Sequence, residues 1–277
     1  MNNNIMIYNN LVKKFNLYIY KNSKKSSKND LKLLKKYSDF KYNLKLEDKN
    51  IIYYQNSKEK KLVHINNQFN LRNKSGDGTD IQKINNLKNW AYEYLHFDGK
   101  QLLDRKYDNL SVEKIIEYAK KDGYALNCRY ISLIFTQFVL AIGYKARWLM
   151  CKSACEDDIE CHCITEVYIP SFHKWIIVDA AYGLIYFDEN WIPLNVMELR
   201  NCIINNKRIR FLSKYRNQIL LYWIKNSFQF FVSINNSSSI NSKKKKMIHI
   251  SPYLFVSKNK IDDPNMIVLY KNEFYLW

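Results

Sequence analysis

The chain has 277 residues, of which 47% are hydrophobic and only six are glycine and four are proline. A chain of this length and apolar content can bury a sizeable core, so disorder of the whole protein is excluded. Its formal net charge of +18 raises nucleic acid, an anionic membrane or an acidic protein as a partner. The lysines are scattered and Asn, Ile and Tyr are over-used with them, so we favour a bias of composition over a binding role.

The first 20 residues lack a basic segment followed by an apolar run and a small-residue cleavage site. No uncharged apolar run approaches the length of a membrane span. We therefore expect a cytoplasmic protein without a membrane partner. Its six cysteines would then be reduced thiols that serve chemistry, metal binding or packing rather than a disulfide framework.

The N-terminal part of the chain is polar and rich in lysine. This composition predicts an elaboration over residues 1–64 that precedes a main domain over 65–277. Within the elaboration, the Ser/Lys stretch 21–30 is typical of a loop, and 31–37 has a short helical pattern.

Two helices are expected at the start of the main domain. From Asp80, apolar residues recur at three- and four-residue intervals until the turn at 97–100 stops the pattern. Ser111 can cap the second helix, which ends at Gly123.

The next helix is the most apolar of the predicted elements. Asn127 is a good N-cap and Gly143 is a good C-terminal stop. Polar residues recur every three or four positions and leave one face for a core, formed by Ile131, Ile134, Phe135, Phe138 and Ile142. We therefore expect this helix to be central to the fold.

Apolar segments in the second half of the chain predict a sheet. Strand-like runs are found at 145–150, 161–169 and 174–179, and later within 247–256 and 266–270. Another helix begins at Asn195, where Glu198 completes a capping-box pattern. Residues 235–246 are typical of a surface loop.

Cys128 directly follows the predicted N-cap of the central helix. A thiol at this position lies against the positive end of the helix dipole and beside unpaired backbone N–H groups, which favour the thiolate. A nucleophilic thiolate also needs a base or ion-pair partner, and that base needs an orienting group. Cys128 is therefore a candidate nucleophile, and the simpler alternative is a small buried hydrophobic residue.

A histidine and an aspartate on two predicted strands can complete this set. A tight turn at 170–171 would place His162 directly opposite Asp179, with their Cβ atoms about 4.5–5.5 Å apart on one sheet face. The carboxylate could then hold one imidazole nitrogen while the other meets the thiol of Cys128. A register change of one residue would separate the pair. The simpler alternatives are a structural His162 and an Asp179 that caps a turn.

These segments together resemble the transglutaminase-like superfamily, whose members share a papain-like fold. The resemblance is carried by a cysteine that opens the helix before the Gly-Tyr-Lys-Ala-Arg step, a histidine four residues before a Glu-Val pair, and an aspartate that ends the next strand. It implies Cys128 as nucleophile, His162 as base or ion-pair partner and Asp179 as orienting group. The chain is similar to bacterial members of the superfamily. Two positions depart from the family pattern, where proline and tryptophan are usual: Ala180 and Ile164.

Other cysteines and acidic residues surround His162 in the sequence. The neighbouring thiols match none of the common zinc spacings, so we expect packing or loop thiols and no metal at Cys151, Cys155, Cys161 and Cys163. An acidic cluster could stabilise an imidazolium, select a basic substrate or simply form a solvated loop, and it consists of Glu156, Asp157, Asp158 and Glu160.

A second donor to an oxyanion is expected beside the backbone N–H of Cys128. Trp90 is a candidate by its place upstream of the cysteine, but its helical spacing equally suits core packing. The remaining histidines are interpreted as structural, and these are His64, His96, His173 and His249.

The sequence therefore predicts an α+β papain-like core in which N-terminal helices pack on an antiparallel sheet. We expect cysteine-dependent acyl transfer on an amide or peptide bond of a protein or peptide substrate, without a cofactor. Hydrolysis is favoured, because water needs no second binding site. The alternatives are a transglutaminase that crosslinks protein glutamines, and a basic non-catalytic module that binds nucleic acid or protein on the same scaffold.

Overall fold

The computed structural model describes residues 25–36, 55–98, 107, 110–123, 125–153 and 161–213, and the strands 229–233, 247–250 and 266–269. The helices found in these residues are α1 (Lys25–Lys36), α2 (Lys60–Phe69), α3 (Leu71–Ser75), α4 (Asp80–Leu95), α5 (Val112–Asp122), α6 (Cys128–Ala141) and α7 (Val196–Ile204). The strands are β1 (Ala146–Lys152), β2 (Cys161–Ile169), β3 (Lys174–Asp179), β4 (Leu184–Phe187), β5 (Arg210–Leu212), β6 (Gln229–Ser233), β7 (Met247–Ile250) and β8 (Met266–Leu269).

The strands form one sheet in the order β5-β4-β3-β2-β1-β6-β7-β8. Neighbouring strands are antiparallel except β7 and β8, which are parallel. The sheet and the helices together confirm the α+β class expected from the sequence.

Helix α6 packs on the central strands of this sheet. All of its residues from 130 to 141 are buried, as expected for the most apolar helix of the chain. The hydroxyl oxygens of Thr136 and Thr165 lie 3.1 Å apart, and Thr165 also donates to the carbonyl of Ser132 at 3.1 Å. These hydrogen bonds satisfy polar groups inside an apolar interface, so they fix α6 against β2.

A buried ion pair ties the start of α7 to the opposite face of the sheet. Arg147 and Glu166 are paired across β1 and β2, with Nη2 and Oε2 2.8 Å apart and both side chains 0% exposed. The second oxygen of Glu166 accepts the backbone N–H of Val196 at 3.0 Å. The Arg147 guanidinium also lies 4.0 Å from the centre of the Trp175 ring. This network therefore fixes both charges in one arrangement.

The predicted helix caps are confirmed. Ser111 caps α5, and Gly123 ends it in the left-handed region. Asn195 and Glu198 form the expected capping box, in which each side chain accepts the other residue's backbone N–H at 2.9 Å. These signals are local, since side chain and backbone partner lie within one turn.

The N-terminal expectation needs a correction. The stretch 21–30 was expected to be a loop, but its residues from Lys25 onward belong to α1, because Ser and Lys are tolerated in a helix. The same helix buries Leu34 completely. Helix α2 runs across the expected boundary between 64 and 65, and the division of the chain at that point stays a prediction. The expected loop 235–246 lies outside the described residues.

No helix in the described part of the chain has both the length and the apolar character needed to cross a membrane.

Candidate active site

The site is built around the first turn of α6. Asn127 caps this helix, and its side-chain oxygen accepts the backbone N–H of Tyr130 at 3.1 Å. Cys128 is the first residue of the helix and is half-buried. The backbone N–H groups of a first helical turn have no intrahelical acceptors, so the thiol lies at the positive end of the helix dipole.

The chain that leads into α6 is held by a short bridge to the end of α4. Leu126 donates its backbone N–H to the carbonyl of His96 at 2.9 Å, and Asp98 donates to the carbonyl of Leu126 at 3.1 Å. This bridge fixes the backbone two residues before Cys128. The position of the thiol therefore depends on α4 as well as on its own helix.

The structure brings His162 and Asp179 together, with Nε2 and Oδ2 2.7 Å apart. Both side chains are buried, at 2% and 0% exposure. The register of β2 and β3 pairs Thr165 with Val178, which differs by two residues from the predicted register. The predicted turn at 170–171 was too short, because residues 170–172 form a 3-10 turn that His173 ends with a φ of 48°.

The side chains still meet because side chains alternate between sheet faces with a period of two residues. An even shift of register keeps His162 and Asp179 on one face and makes them diagonal rather than direct neighbours. Diagonal neighbours lie about 7–8 Å apart between backbones, which a histidine and an aspartate side chain can span.

Asp179 is held by three hydrogen bonds. Its Oδ1 accepts the backbone N–H of Tyr182 at 3.2 Å. Its Oδ2 accepts the hydroxyl of Tyr186 at 3.4 Å in addition to the bond with His162. Turn capping, considered above as the alternative role of Asp179, therefore occurs together with the histidine contact. Sequence reasoning missed Tyr186, since its spacing does not signal a partner on β3.

The charges of Cys128 and His162 stabilise each other. Hydrogen bonding by the Cys163 thiol is the largest influence on the pKa of Cys128, and the hydrogen bond and charge of His162 add to it, so the pKa is lowered to about 4 despite burial. Burial alone would lower the pKa of His162, but the charge and hydrogen bond of Asp179 together with Cys128 raise it to about 10. The pair therefore favours a thiolate beside an imidazolium at neutral pH.

The imidazole uses different nitrogens for its two partners. Because Nε2 of His162 contacts Asp179, Nδ1 is the nitrogen left for the hydrogen bond with Cys128. On its flank, the His162 ring lies 5.4 Å edge-on from the ring of Tyr182, which in turn lies 5.0 Å from the ring of Phe97. These rings surround the imidazole with apolar atoms and link it to the segment before Cys128.

Other cysteines, on β2 and β1, lie close to Cys128. The backbone carbonyl of Cys161 is 3.9 Å from the Cys128 sulfur. Cys163 is fully buried, and Cys151 pairs with His162 across the two strands. Among the residues that the structure describes, no group of three or more His, Cys, Asp or Glu side chains is arranged to hold a metal ion. Cys155 and the acidic cluster fall outside those residues.

Trp90 packs in the core rather than near the thiol. Its ring lies 4.8 Å from the ring of Tyr94 and 5.5 Å from that of Phe138. Phe138 is ten residues after Cys128 on α6, which is about 15 Å along a helix axis. Trp90 therefore fits the packing alternative and not the oxyanion role.

The remaining histidines lie on other elements of the fold. His64 lies on α2 and His249 on β7, while His96 and His173 end a helix and a turn with positive φ angles of 44° and 48°.

A thiolate paired with an imidazolium at a helix start is the working arrangement of thiol enzymes. Residues 67–180 match the family model of the Transglutaminase-like superfamily, a range that contains Cys128, His162 and Asp179. This match confirms the resemblance seen in the sequence. The match supports a cysteine-dependent enzyme and does not distinguish hydrolysis from crosslinking.

One solved structure similar to this chain is described as "a Putative Cysteine Protease from Cytophaga hutchinsonii", with 12% sequence identity and a TM-score of 0.34. The alignment covers 63% of this chain and 58% of that chain, so this chain spans less than two thirds of its length. No curated protein matches the sequence.

Proposed function

We propose that this protein transfers an acyl group from an amide or peptide bond of a protein or peptide substrate. In this proposal Cys128 is the nucleophile, His162 is its acid–base partner and Asp179 orients the imidazole. The main support is the buried His162–Asp179 contact of 2.7 Å beside a cysteine at a helix start. A thiolate, a proton donor and an orienting carboxylate are the groups that acyl transfer through a thioester needs.

In the first half-reaction, the Cys128 thiolate attacks the carbonyl carbon and the electrons of the C=O bond move to oxygen. The backbone N–H of Cys128 can hydrogen-bond this oxyanion, since the first turn of a helix leaves that group without an intrahelical acceptor. The C–N bond then breaks as the His162 imidazolium gives its proton to the departing nitrogen. An amine leaves and a thioester remains on Cys128.

In the second half-reaction, neutral His162 removes a proton from the acceptor as the acceptor attacks the thioester. The C–S bond then breaks, so that Cys128 leaves as a thiolate beside the imidazolium. Asp179 keeps Nε2 occupied, so that Nδ1 faces the sulfur through both steps. Water as acceptor gives a carboxylic acid, and an amine gives a new amide. We favour water, because it needs no binding site of its own.

The test is to trap the acyl-enzyme from a library of short peptides by acid quenching and mass spectrometry of the protein. The wild-type protein should carry an acyl adduct on Cys128, and Cys128→Ala should carry none and release no product. Alanine suits the first turn of a helix, so this variant should stay folded. Cys202→Ala, the same change in a cysteine on α7, is the matched control and should keep the adduct.

A primary amine added to the same reaction identifies the acceptor. Accumulation of the acid product alone would support hydrolysis. A new amide formed in its place would identify a crosslinking enzyme. Product formation at the same rate in the wild-type and Cys128→Ala proteins would contradict the proposal as a whole.

A further inference from the structure

A second buried thiol lies against the proposed nucleophile. Cys163 is 0% exposed and lies on β2 two residues after Cys161, and hydrogen bonding by its thiol and backbone lowers the pKa of Cys128. Strand β2 produces this contact because it passes the start of α6 closely enough to bring the Cys161 carbonyl within 3.9 Å of the same sulfur. In acyl transfer as described above, the Cys163 thiol stabilises the Cys128 thiolate but does not itself react.

We propose that Cys163 is a resolving thiol for Cys128, and that a hydroperoxide converts the two residues into a reversible disulfide. The reaction is distinct from acyl transfer and needs no acyl substrate. Its test can therefore fail or succeed independently of the function proposed above.

The chemistry has two steps. The Cys128 thiolate attacks one oxygen of the hydroperoxide, the O–O bond breaks, and the other oxygen leaves as an alcohol or water after taking a proton. This gives a sulfenic acid on Cys128. The sulfur of Cys163 then attacks the Cys128 sulfur, the S–O bond breaks, and the hydroxide leaves as water with the proton of Cys163. Two thiols are oxidised to one disulfide and the hydroperoxide is reduced by two electrons.

The position of Cys163 favours it over the other thiols near the site. A disulfide requires Cβ atoms about 3.5–4.5 Å apart, so a thiol in direct contact with Cys128 is the best placed to form one. Of the thiols on β1 and β2, Cys163 is the one whose hydrogen bonding most lowers the pKa of Cys128. Cys151 is buried on the neighbouring strand, opposite His162.

The state of Cys128 also controls when Cys163 can react. Hydrogen bonds with Cys128 and Cys161, together with burial, raise the pKa of Cys163 well above its usual value. Cys163 is thus a neutral thiol while Cys128 is a thiolate. Oxidation of Cys128 to a sulfenic acid removes that negative charge, and the proton of Cys163 becomes easier to lose. The second thiol is therefore released for reaction only after the first has been oxidised.

The experiment exposes the reduced full-length protein to limiting hydrogen peroxide, blocks remaining thiols with N-ethylmaleimide and maps peptides without reduction. A disulfide between the peptides that contain Cys128 and Cys163 is expected. Dithiothreitol should then restore the reactivity of Cys128 toward iodoacetamide almost completely. A disulfide from Cys128 to any other cysteine, or oxidation without a disulfide, would overturn the proposal.

Variants test the protective role of the second thiol. In Cys163→Ser, Cys128 should proceed to sulfinic and sulfonic acid, which dithiothreitol does not reverse. Cys163→Ala provides the same test if serine is poorly accepted at a buried position. Cys161→Ser is the matched control, since it changes a cysteine two residues away on the same strand and should still allow the disulfide. Equal irreversible oxidation in the wild-type protein and both Cys163 variants would show that Cys163 has no such role.

Discussion

At the scale of single residues, the chemistry of this site depends on where one proton resides. Cys128 and His162 can share it as a neutral thiol and imidazole or as a thiolate and imidazolium. The surroundings favour the second state, since Cys163 donates to the sulfur and Asp179 contacts the far side of the ring. In the proposed mechanism Cys128 is thus ionised before substrate arrives, and no base is needed to deprotonate it during attack.

The first prediction concerns the reactivity of Cys128 with pH. Because its pKa is lowered to about 4, the thiolate persists from neutral pH down to that value and is lost below it. Alkylation by limiting iodoacetamide should therefore label Cys128 first at mildly acidic pH, as followed by mass spectrometry, with Cys202 as the internal control. Label spread evenly over all six cysteines would identify Cys128 as a structural thiol.

His162→Ala should reduce this preference. The thiolate would then keep its hydrogen bonds and the helix dipole but lose the imidazolium, so its pKa should rise and the rate should fall at mildly acidic pH. The acyl-transfer rate of the wild-type protein should fall at high pH. His162 loses its imidazolium proton near its pKa of about 10, and this removes the acid that protonates the leaving amine.

A second prediction tests Asp179 as the orienting group. Asp179→Asn keeps the size of the side chain but removes the charge that holds the imidazolium, so kcat should fall by roughly 10²–10⁴-fold, less than in Cys128→Ala. Asp188→Asn is the matched control, because Asp188 caps a loop through Asn190 and Ile192 and an asparagine oxygen can accept the same bonds. Equal rates in the Asp179 variant and the wild type would show that Asp179 only caps the turn and does not orient the imidazole.

At the scale of elements, the pairing of β2 and β3 shows what the sequence could and could not predict. The strands and the caps at Asn127 and Ser111 were predictable, because period and capping signals lie within a few residues. The length of the turn before His173 was not, since nothing in the sequence requires a non-glycine residue to adopt a positive φ there. His162 and Asp179 were still paired correctly because the error in register was even.

Contacts between distant elements were the part that the sequence could not supply. Tyr186 reaches Asp179 only because β4 pairs with β3 in the sheet. Cys163 influences Cys128 only because α6 packs on β2. Trp90 illustrates the converse, as its sequence position before the cysteine suggested a role that its packing against Phe138 does not fit. These contacts depend on which strand each helix packs against. The apolar pattern of a helix shows that one face is buried but does not show which strand covers that face.

A third prediction concerns the ion pair that links the sheet to α7. Glu166→Gln keeps the shape and the oxygen that accepts from Val196 but leaves Arg147 as a buried, poorly compensated charge, so the free energy of unfolding should fall by about 3–5 kcal/mol. Urea unfolding measures the change. Glu198→Gln is the matched control, because Glu198 pairs with Lys174 at 39% and 21% exposure, and this loss should cost about 0–1 kcal/mol. Similar losses in both variants would show that burial does not strengthen the Arg147–Glu166 pair.

At the scale of the whole molecule, the charge of +18 has to be reconciled with the site. The proposed reaction needs no such charge, since the three groups proposed to catalyse it carry a net charge of only −1, from one thiolate, one imidazolium and one carboxylate. Basic residues in the described part are also engaged locally, as Lys120 is over the ring of Tyr94 at 3.5 Å and Arg210 over that of Trp191 at 5.0 Å. A general compositional bias therefore explains the charge at least as well as a binding surface.

The fourth prediction follows from this view of the charge. If the lysines are dispersed, binding to a random DNA duplex should be weak at physiological salt, with a Kd on the order of 10⁻⁴–10⁻⁶ M, and log K should fall linearly with the logarithm of salt concentration. Fluorescence anisotropy over a salt series measures both quantities, with a second duplex of scrambled sequence as the control. Equal affinity for the two duplexes is expected, because contacts to phosphates carry no sequence information.

A tight complex that prefers one sequence, at a Kd of about 10⁻⁸ M or below, would instead show a specific nucleic-acid binding site. Binding of that kind, unchanged in Cys128→Ala and accompanied by no thioester on Cys128, would favour a basic binding module over an acyl-transfer enzyme.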